Sequence, residues 1–411
     1  MLGVISDDAS FPSSNLATTP CFNMRSFLTV LALSFAVQLA FAQTNFTGDI
    51  LHGAQVITHL SLEDVPSNAV TRYYLRVPSV SGGWDMQLPV FVARGGPETL
   101  KTGKKLSISA SIHGDELSPV RVAQELLVRL EEIVPHLNGT VIGIPTVNPT
   151  GNYLSQRNYY TASGSGTLTN VNRVFPGEDP DEGSSGPDGL AFIIWNNLWG
   201  NTSSVDVAVD IHTSSTGSSA PMWVYSDVRA PYVQRMAELA QPDVLKIDQG
   251  EPGSIETTFV EYGVPAITLE LGAAKVWYKP FIKRAGDFID RLMVDLNMLP
   301  GNGTTPYVAD LSKTYIGNVF HSLPSKYGGF VETLVQLMDD VVAGQEVAIV
   351  RNAWGDVLET VTAPVNGKIF QIPSDPATEP GRDVAQLVYN STTIPDCEAG
   401  CIVSSRDAIV R

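Results

Sequence analysis

Hydrophobic and polar positions between residues 72 and 296 follow two alternating periods. Strand-like apolar segments lie at 72–77, 87–93, 106–112, 140–147, 205–211, 222–225 and 266–271, with strict alternation at 205–211, the spacing of a strand with a buried face. Helical spacing takes over at 120–134, 230–240 and 279–296. The first of these follows Ser118-Pro119, a favourable helix start. Strands alternating with helices predict an α/β sheet covered on both faces. Between 149 and 189 the periodicity lapses into Gly, Ser, Asn and Pro. An irregular stretch of that length inside a compact domain is either disordered or functional, and because it carries Arg157, Asn172 and Arg173 a binding loop is expected.

After the Gly- and Pro-rich segment 300–306 the pattern changes again. Short alternating runs at 341–350, 356–363 and 368–372 are punctuated by Gly, Pro and Asn, so a small all-β module is expected. No solenoid repeat is visible. With 411 residues and 43% apolar composition, the chain has material for two units. We expect a leader and signal peptide at 1–42, a catalytic domain at 43–300 and the β-module at 307–411. The signal rests on the apolar run 27–42, preceded by Met24-Arg25 and closed by Ala40-Phe41-Ala42; it is too short for a typical membrane span. Residues 1–23 are an unusual polar lead for such a signal, which makes Met24 a candidate initiator. Secretion agrees with five glycosylation sequons at Asn45, Asn138, Asn201, Asn302 and Asn390. It also agrees with the pair Cys397 and Cys401 that remains once Cys21 leaves with the leader, read as a small disulfide loop. The net charge of −17 disfavours nucleic acid and anionic membrane as partners.

Candidate chemistry sits at three strand ends, where open α/β sheets place their ligands. The strand 106–112 runs into His113-Gly-Asp-Glu116, whose imidazole and carboxylate can converge on one point if Gly114 lets the turn fold tightly. Zinc accepts both donors at roughly 2.0–2.2 Å. A second strand ends in Asp210-Ile-His212; alternation puts both side chains on one face, so Asp210 can orient the imidazole of His212. The third carries Glu270 within an apolar run, where a carboxylate is costly unless it is paired or has work to do. Beside a metal-activated water it would act as general base and then as proton donor. Two histidines, one carboxylate ligand and one spare carboxylate match a catalytic zinc with an open coordination position, one ion per chain.

In that order, His-Gly-Asp-Glu (113–116), Asn172-Arg173-x-Phe-Pro-Gly177, Asp210-x-His212 and Leu-Glu270-Leu-Gly resemble the succinylglutamate desuccinylase/aspartoacylase family, which is placed among the zinc-carboxypeptidase-like hydrolases. The similarity spans roughly residues 85–390. It implies a zinc-carboxypeptidase-like domain with a mixed central sheet, followed by a β-module. It further implies His113, Glu116 and His212 as zinc ligands, Glu270 as base, Asn172 and Arg173 as a clamp for a substrate carboxylate, and Arg157 as the group that polarises the scissile carbonyl. Guanidinium forks suit both tasks. One departure is that the family's usual Asp-Leu-Asn-Arg reads Asn170-Val-Asn172-Arg173 here. The C-terminal segments 361–367 and 380–384 resemble the sandwich of biotinyl and lipoyl modules, but no Met-Lys-Met attachment motif is present and Lys368 lacks that context. A structural role is expected for this module.

The leading expectation is therefore a secreted zinc amidohydrolase that deacylates a small carboxylate-bearing amide. A secreted metallocarboxypeptidase shares the same machinery. A non-catalytic binding protein would have no need of Glu270. A serine hydrolase is poorly supported, because Gly164-Ser165-Gly166 is not a full Gly-x-Ser-x-Gly elbow.

Overall fold

The period-two segments pair into one eleven-stranded mixed sheet. The computed structural model describes residues 43–161, 168–301 and 307–391. The expected leader and signal, Asn302, Gly164-Ser165-Gly166 and the pair Cys397/Cys401 lie outside the described residues. In chain order the strands are β1 (Asn45–Leu51), β2 (Ala54–His59), β3 (Ala69–Val80), β4 (Trp84–Arg94), β5 (Lys104–Ala110), β6 (Gly139–Ile144), β7 (Val207–His212), β8 (Met222–Ser226), β9 (Val244–Ile247), β10 (Ala266–Leu271) and β11 (Tyr315–Gly317). Across the sheet they run β1-β2-β3-β4-β6-β5-β7-β10-β8-β9-β11. The central strands β6, β5, β7 and β10 are mutually parallel, and β8 runs antiparallel to β10.

Alternation along these strands feeds two cores. Val207, Val209 and Ile211 of β7 and Ile267, Leu269 and Leu271 of β10 face helices α1 (Ser118–Ile133), α2 (Val233–Ala240) and α4 (Lys279–Asp295). Ala208 and Ala266 face the other way, toward Trp195, Trp199 and Phe259, the last on α3 (Ile255–Glu261). Pro119 and Pro280 each sit in the first turn of their helix, where the missing N–H has no partner to lose. No helix of the described residues is long and apolar enough to cross a membrane.

Several elements lie outside the expected set, among them β1, β2, β9, β11 and α3. Strand β9 is four residues long, too short for a periodic signal. Strand β1 is mostly exposed and shows no apolar alternation. Helix α3 is short but has a legible start, since Ser254 Oγ accepts from the Thr257 N–H at 3.2 Å. The 149–189 stretch is also less irregular than its composition implies. Asn148 caps a helix at Pro149–Leu154 by accepting the Gly151 N–H at 2.9 Å, and a second helix runs over Gly186–Phe192.

Residues after 307 contain no helix among those described. Strands β12 (Val319–Pro324), β13 (Gly329–Thr333), β14 (Glu346–Arg351), β15 (Val357–Thr362), β16 (Gly367–Pro373) and β17 (Asp383–Tyr389) form two small sheets over a core of Val347, Val350, Ile369, Val384 and Leu387. The region is stitched to the large sheet at three places. β11 pairs with β9, Ser218–Ser219 pair with β16, and Phe320 stacks on Phe370 at 4.0 Å with Trp223 edge-on to both. Four sequon asparagines, Asn45, Asn138, Asn201 and Asn390, are exposed.

Candidate metal centre

The turn after β5 is built by close approach. Ser111 takes a left-handed φ of 55°, held by its Oγ donating to the His113 carbonyl at 3.1 Å and accepting from Asn152 Nδ2 at 2.7 Å. Gly114 is required, but not for a left-handed φ: a Cβ there would stand 2.0 Å from the Gly151 carbonyl carbon. Asp115 Oδ2 accepts from both the backbone N–H and the hydroxyl of Thr216, at 2.9 and 2.7 Å. The His-Gly-Asp-Glu turn is thereby tied to the loop that follows β7.

Strand register supplies the rest. β10 lies beside β7 with Thr268 opposite Asp210 and Glu270 opposite His212. β8 lies on the other side of β10 with Trp223 opposite Glu270. Because alternate residues share a face, His212, Glu270 and Trp223 form one row across the sheet. Asp210, Thr268 and Tyr225 form the row beneath it.

His113, Glu116 and His212, at 3%, 1% and 2% exposure, bring ligand atoms within 4.8 Å of one another and could hold a metal ion. The outer hydrogen bonds fix which nitrogen faces inward. Asn170 Oδ1 accepts the Asn172 backbone N–H at 3.0 Å, which identifies it as the oxygen, and it lies 3.1 Å from His113 Nε2. An acceptor there requires Nε2 to carry the proton, leaving a lone pair on Nδ1. His212 Nε2 likewise faces Asp210 Oδ2 at 2.7 Å, and Ser109 Oγ donates to the other oxygen of Asp210 at 2.6 Å. Both Nδ1 atoms therefore point at Glu116, His113 to Oε1 at 2.9 Å and His212 to Oε2 at 3.0 Å. Two inward imidazole nitrogens around a carboxylate form a donor set suited to zinc, in which a metal would replace the proton of His212 Nδ1.

The electrostatics follow from the packing. Burial alone would raise the pKa of Glu116, but His113 and His212 hold it below the usual carboxylate range. Burial lowers His113. It works the same way on His212, where Asp210 and Glu116 outweigh it and lift the imidazole well above its ordinary value. Glu270 differs: its carboxyl is pushed up to about 8, mainly by removal from water, and Oε2 is sealed without a hydrogen-bond partner.

Arg157, Asn172 and Arg173 reach the same cavity, of about 210 Å³, as His113, His212 and Glu270. One nitrogen of Arg157 lies 3.1 Å from His113 Nδ1 and 3.3 Å from Glu116 Oε1, and it also bonds Ser215 Oγ. Asn172 Oδ1 accepts the Ile255 N–H at 2.9 Å, and Arg173 is braced by the Asn172 carbonyl at 2.6 Å. Tyr225, Lys246, Asp248 and Phe320 also line the cavity and were absent from the expected set. The end of strand 222–225 pointed toward Tyr225; nothing local marks Phe320, which arrives from the C-terminal region.

Residues 102–296 match the model of the succinylglutamate desuccinylase/aspartoacylase catalytic domain. The fold is similar to a succinylglutamate desuccinylase/aspartoacylase from Rhodobacter sphaeroides (TM-score 0.65, 18% identity, covering 80% of this chain and 98% of that one). It is also similar to the product-bound ectoine utilization protein of Ruegeria pomeroyi (0.65, 18%, 80% and 98%). An aspartoacylase family protein from Mesorhizobium loti gives a TM-score of 0.62 at 21% identity, covering 85% and 99% of the two chains. No curated protein sequence matches the chain.

Proposed function

The chain carries a catalytic domain of the succinylglutamate desuccinylase/aspartoacylase family over residues 102–296, and from that premise we propose that it is a secreted zinc hydrolase. It would remove the acyl group from a small N-acyl compound bearing a free carboxylate. The observation that carries this reading is the meeting of three elements on one cavity: the inward-facing donor set of His113, Glu116 and His212, the unpartnered Glu270, and the guanidinium of Arg173.

When bound, zinc supplies a Lewis acid that polarises a carbonyl and acidifies a water. The protein's own groups divide the remaining work. Glu270 takes the proton of the attacking water and returns it to the departing amine as the amide C–N bond breaks. Arg173, braced by Asn172, grips the substrate carboxylate, and Arg157 lies where a fork can hold the developing oxyanion. Asp210 and Asn170 keep the two imidazoles in the tautomer that faces inward. Phe320 and Trp223 close one wall of the cavity. Its volume is below the roughly 300–1,000 Å³ common for ligand pockets, which favours a small substrate over a peptide. Secretion is supported by the exposure of Asn45, Asn138, Asn201 and Asn390.

The test combines elemental analysis with a substrate screen. Wild-type protein should hold about one zinc per chain, and His113→Ala/His212→Ala should not. Wild type should release free amino acid from N-acyl amino acids and leave their carboxamide-capped counterparts intact. Equal or faster trimming of peptide C-termini would establish a carboxypeptidase instead.

A further inference from the structure

Arg157, Arg173 and Lys246 all line the cavity. Arg157 is turned to the metal donor set, whereas the other two each meet an acid from the segment after β9, and those acids are held differently. Glu251 reaches Arg173 at a long 3.5 Å with its side chain 61% exposed, so it yields to a substrate carboxylate at little cost. Asp248 is only 29% exposed; one oxygen bonds Lys246 and the other accepts the Gly250 N–H at 3.0 Å. Its own N–H donates to the Ser226 carbonyl at 3.2 Å. Lys246 is equally fixed. Strand pairing sets it opposite Tyr225, and its ammonium lies 4.7 Å from the ring centre of Phe320, which is itself stacked on Phe370.

We propose that the Lys246–Asp248 pair determines specificity by offering no net charge to the part of the substrate beyond the clamped carboxylate. The site then takes monocarboxylates with a neutral side chain or acyl group and rejects dicarboxylates. Arg173 can be released by its acid, but Lys246 cannot. A second carboxylate would come to rest beside Asp248 in a cavity of about 210 Å³, where little water separates the two anions. An ammonium has three donors, so Lys246 can meet an uncharged oxygen while it keeps Asp248. Trp223 and Phe320 offer aromatic surface to an apolar body on the same substrate. This inference rests on the deacylase reading above, with Arg173 as the clamp.

The experiment compares kcat/KM of the zinc-loaded protein on two pairs of compounds matched in shape and differing by one charge. N-acetylasparagine against N-acetylaspartate varies the amine half, and N-succinamoylglycine against N-succinylglycine varies the acyl half. The neutral member should be favoured at least about tenfold in one pair or both. Asp248→Asn keeps an acceptor for the Gly250 N–H and leaves Lys246 uncompensated, so it should move that ratio toward the dianion by at least about tenfold. Lys246→Met leaves Asp248 uncompensated and should move the ratio the opposite way. A merely structural pair would change both members alike. A dianion preferred in either pair, equal use of both members in both pairs, or a ratio that neither variant moves overturns the proposal. Failure of the deacylase reading gives a separate signature, release of amine from none of these compounds. Calorimetric affinities for the same pairs then still decide the charge rule, and dianions bound as tightly as their neutral counterparts overturn it.

Discussion

Glu116 and Glu270 belong to the same site and behave in opposite ways. Glu116 is the more deeply enclosed, yet it is held ionised: the His212 imidazole at 3.0 Å, the Thr213 N–H at 3.0 Å and the Ser215 hydroxyl at 3.3 Å donate to its oxygens. Glu270 lines the cavity, yet its Oε2 has no partner and its pKa climbs to about 8. Burial alone therefore does not set the charge of a carboxylate; the donors that replace its water do. One glutamate is committed to its neighbours and suits a ligand. The other is uncommitted and suits proton transfer, which needs an acceptor poised near the working pH.

The sharpest way to break this comparison is to neutralise each carboxylate in turn. Glu270→Gln should retain zinc while kcat falls about 10²–10⁴-fold, the usual scale for a positioned base. Glu116→Gln should lose stoichiometric zinc as well as turnover. Zinc content and kcat measured on the same preparations decide it; a Glu270→Gln enzyme with near wild-type kcat would mean that the base lies elsewhere.

A smaller effect separates binding from chemistry. Arg173 is partly exposed and its ion pair with Glu251 is long, at 3.5 Å, so little fold stability depends on it. Arg173→Ala should cost about 1.5–3 kcal/mol in kcat/KM, the range for a hydrogen bond to a charged group, and most of it should appear in KM. Retained preference for free-acid over carboxamide substrates in the variant would remove Arg173 from the clamp.

The smallest effect on turnover is expected at a third carboxylate, which extends the comparison to stability. Glu256 is 1% exposed, its Oε1 has no partner, and burial raises its pKa from 4.5 to about 8. Between those values the folded protein keeps a proton that the unfolded chain has released. Stability is therefore lost as pH rises through that window. A tenfold change in proton affinity is worth roughly 1.4 kcal/mol, so the total is at most a few kcal/mol. Glu256→Gln, neutral throughout, should gain on wild type between about pH 5 and pH 9, read from denaturant midpoints. A pH-independent difference would show that Glu256 already has a compensating partner.

Much of this site is legible in the residues themselves because strand periodicity is local. Asp210 and His212 share a face whatever else the chain does, and the apolar flanks of Glu270 show that its carboxylate is out of place. The period of two also fixes Val207, Val209 and Ile211 on the opposite, core-facing side. The expected role of Gly114 had the right position and a different cause, since its requirement comes from the backbone of Gly151, which no local pattern reports.

Pairing and packing decided the remainder. Nothing in either segment states that β10 lies beside β7 with Glu270 opposite His212; that register emerges only when both apolar faces are buried at once. Asn170 stands 57 residues from His113, and its amide becomes a histidine partner only because the loop folds back onto the turn. Phe320 reaches the cavity because the C-terminal strands dock on Trp223. Sequence by itself thus determined which side chains share a face and which are chemically costly, both properties of a residue and its near neighbours. The tertiary structure decided which of them meet, because contacts between distant segments depend on the whole chain closing around two cores.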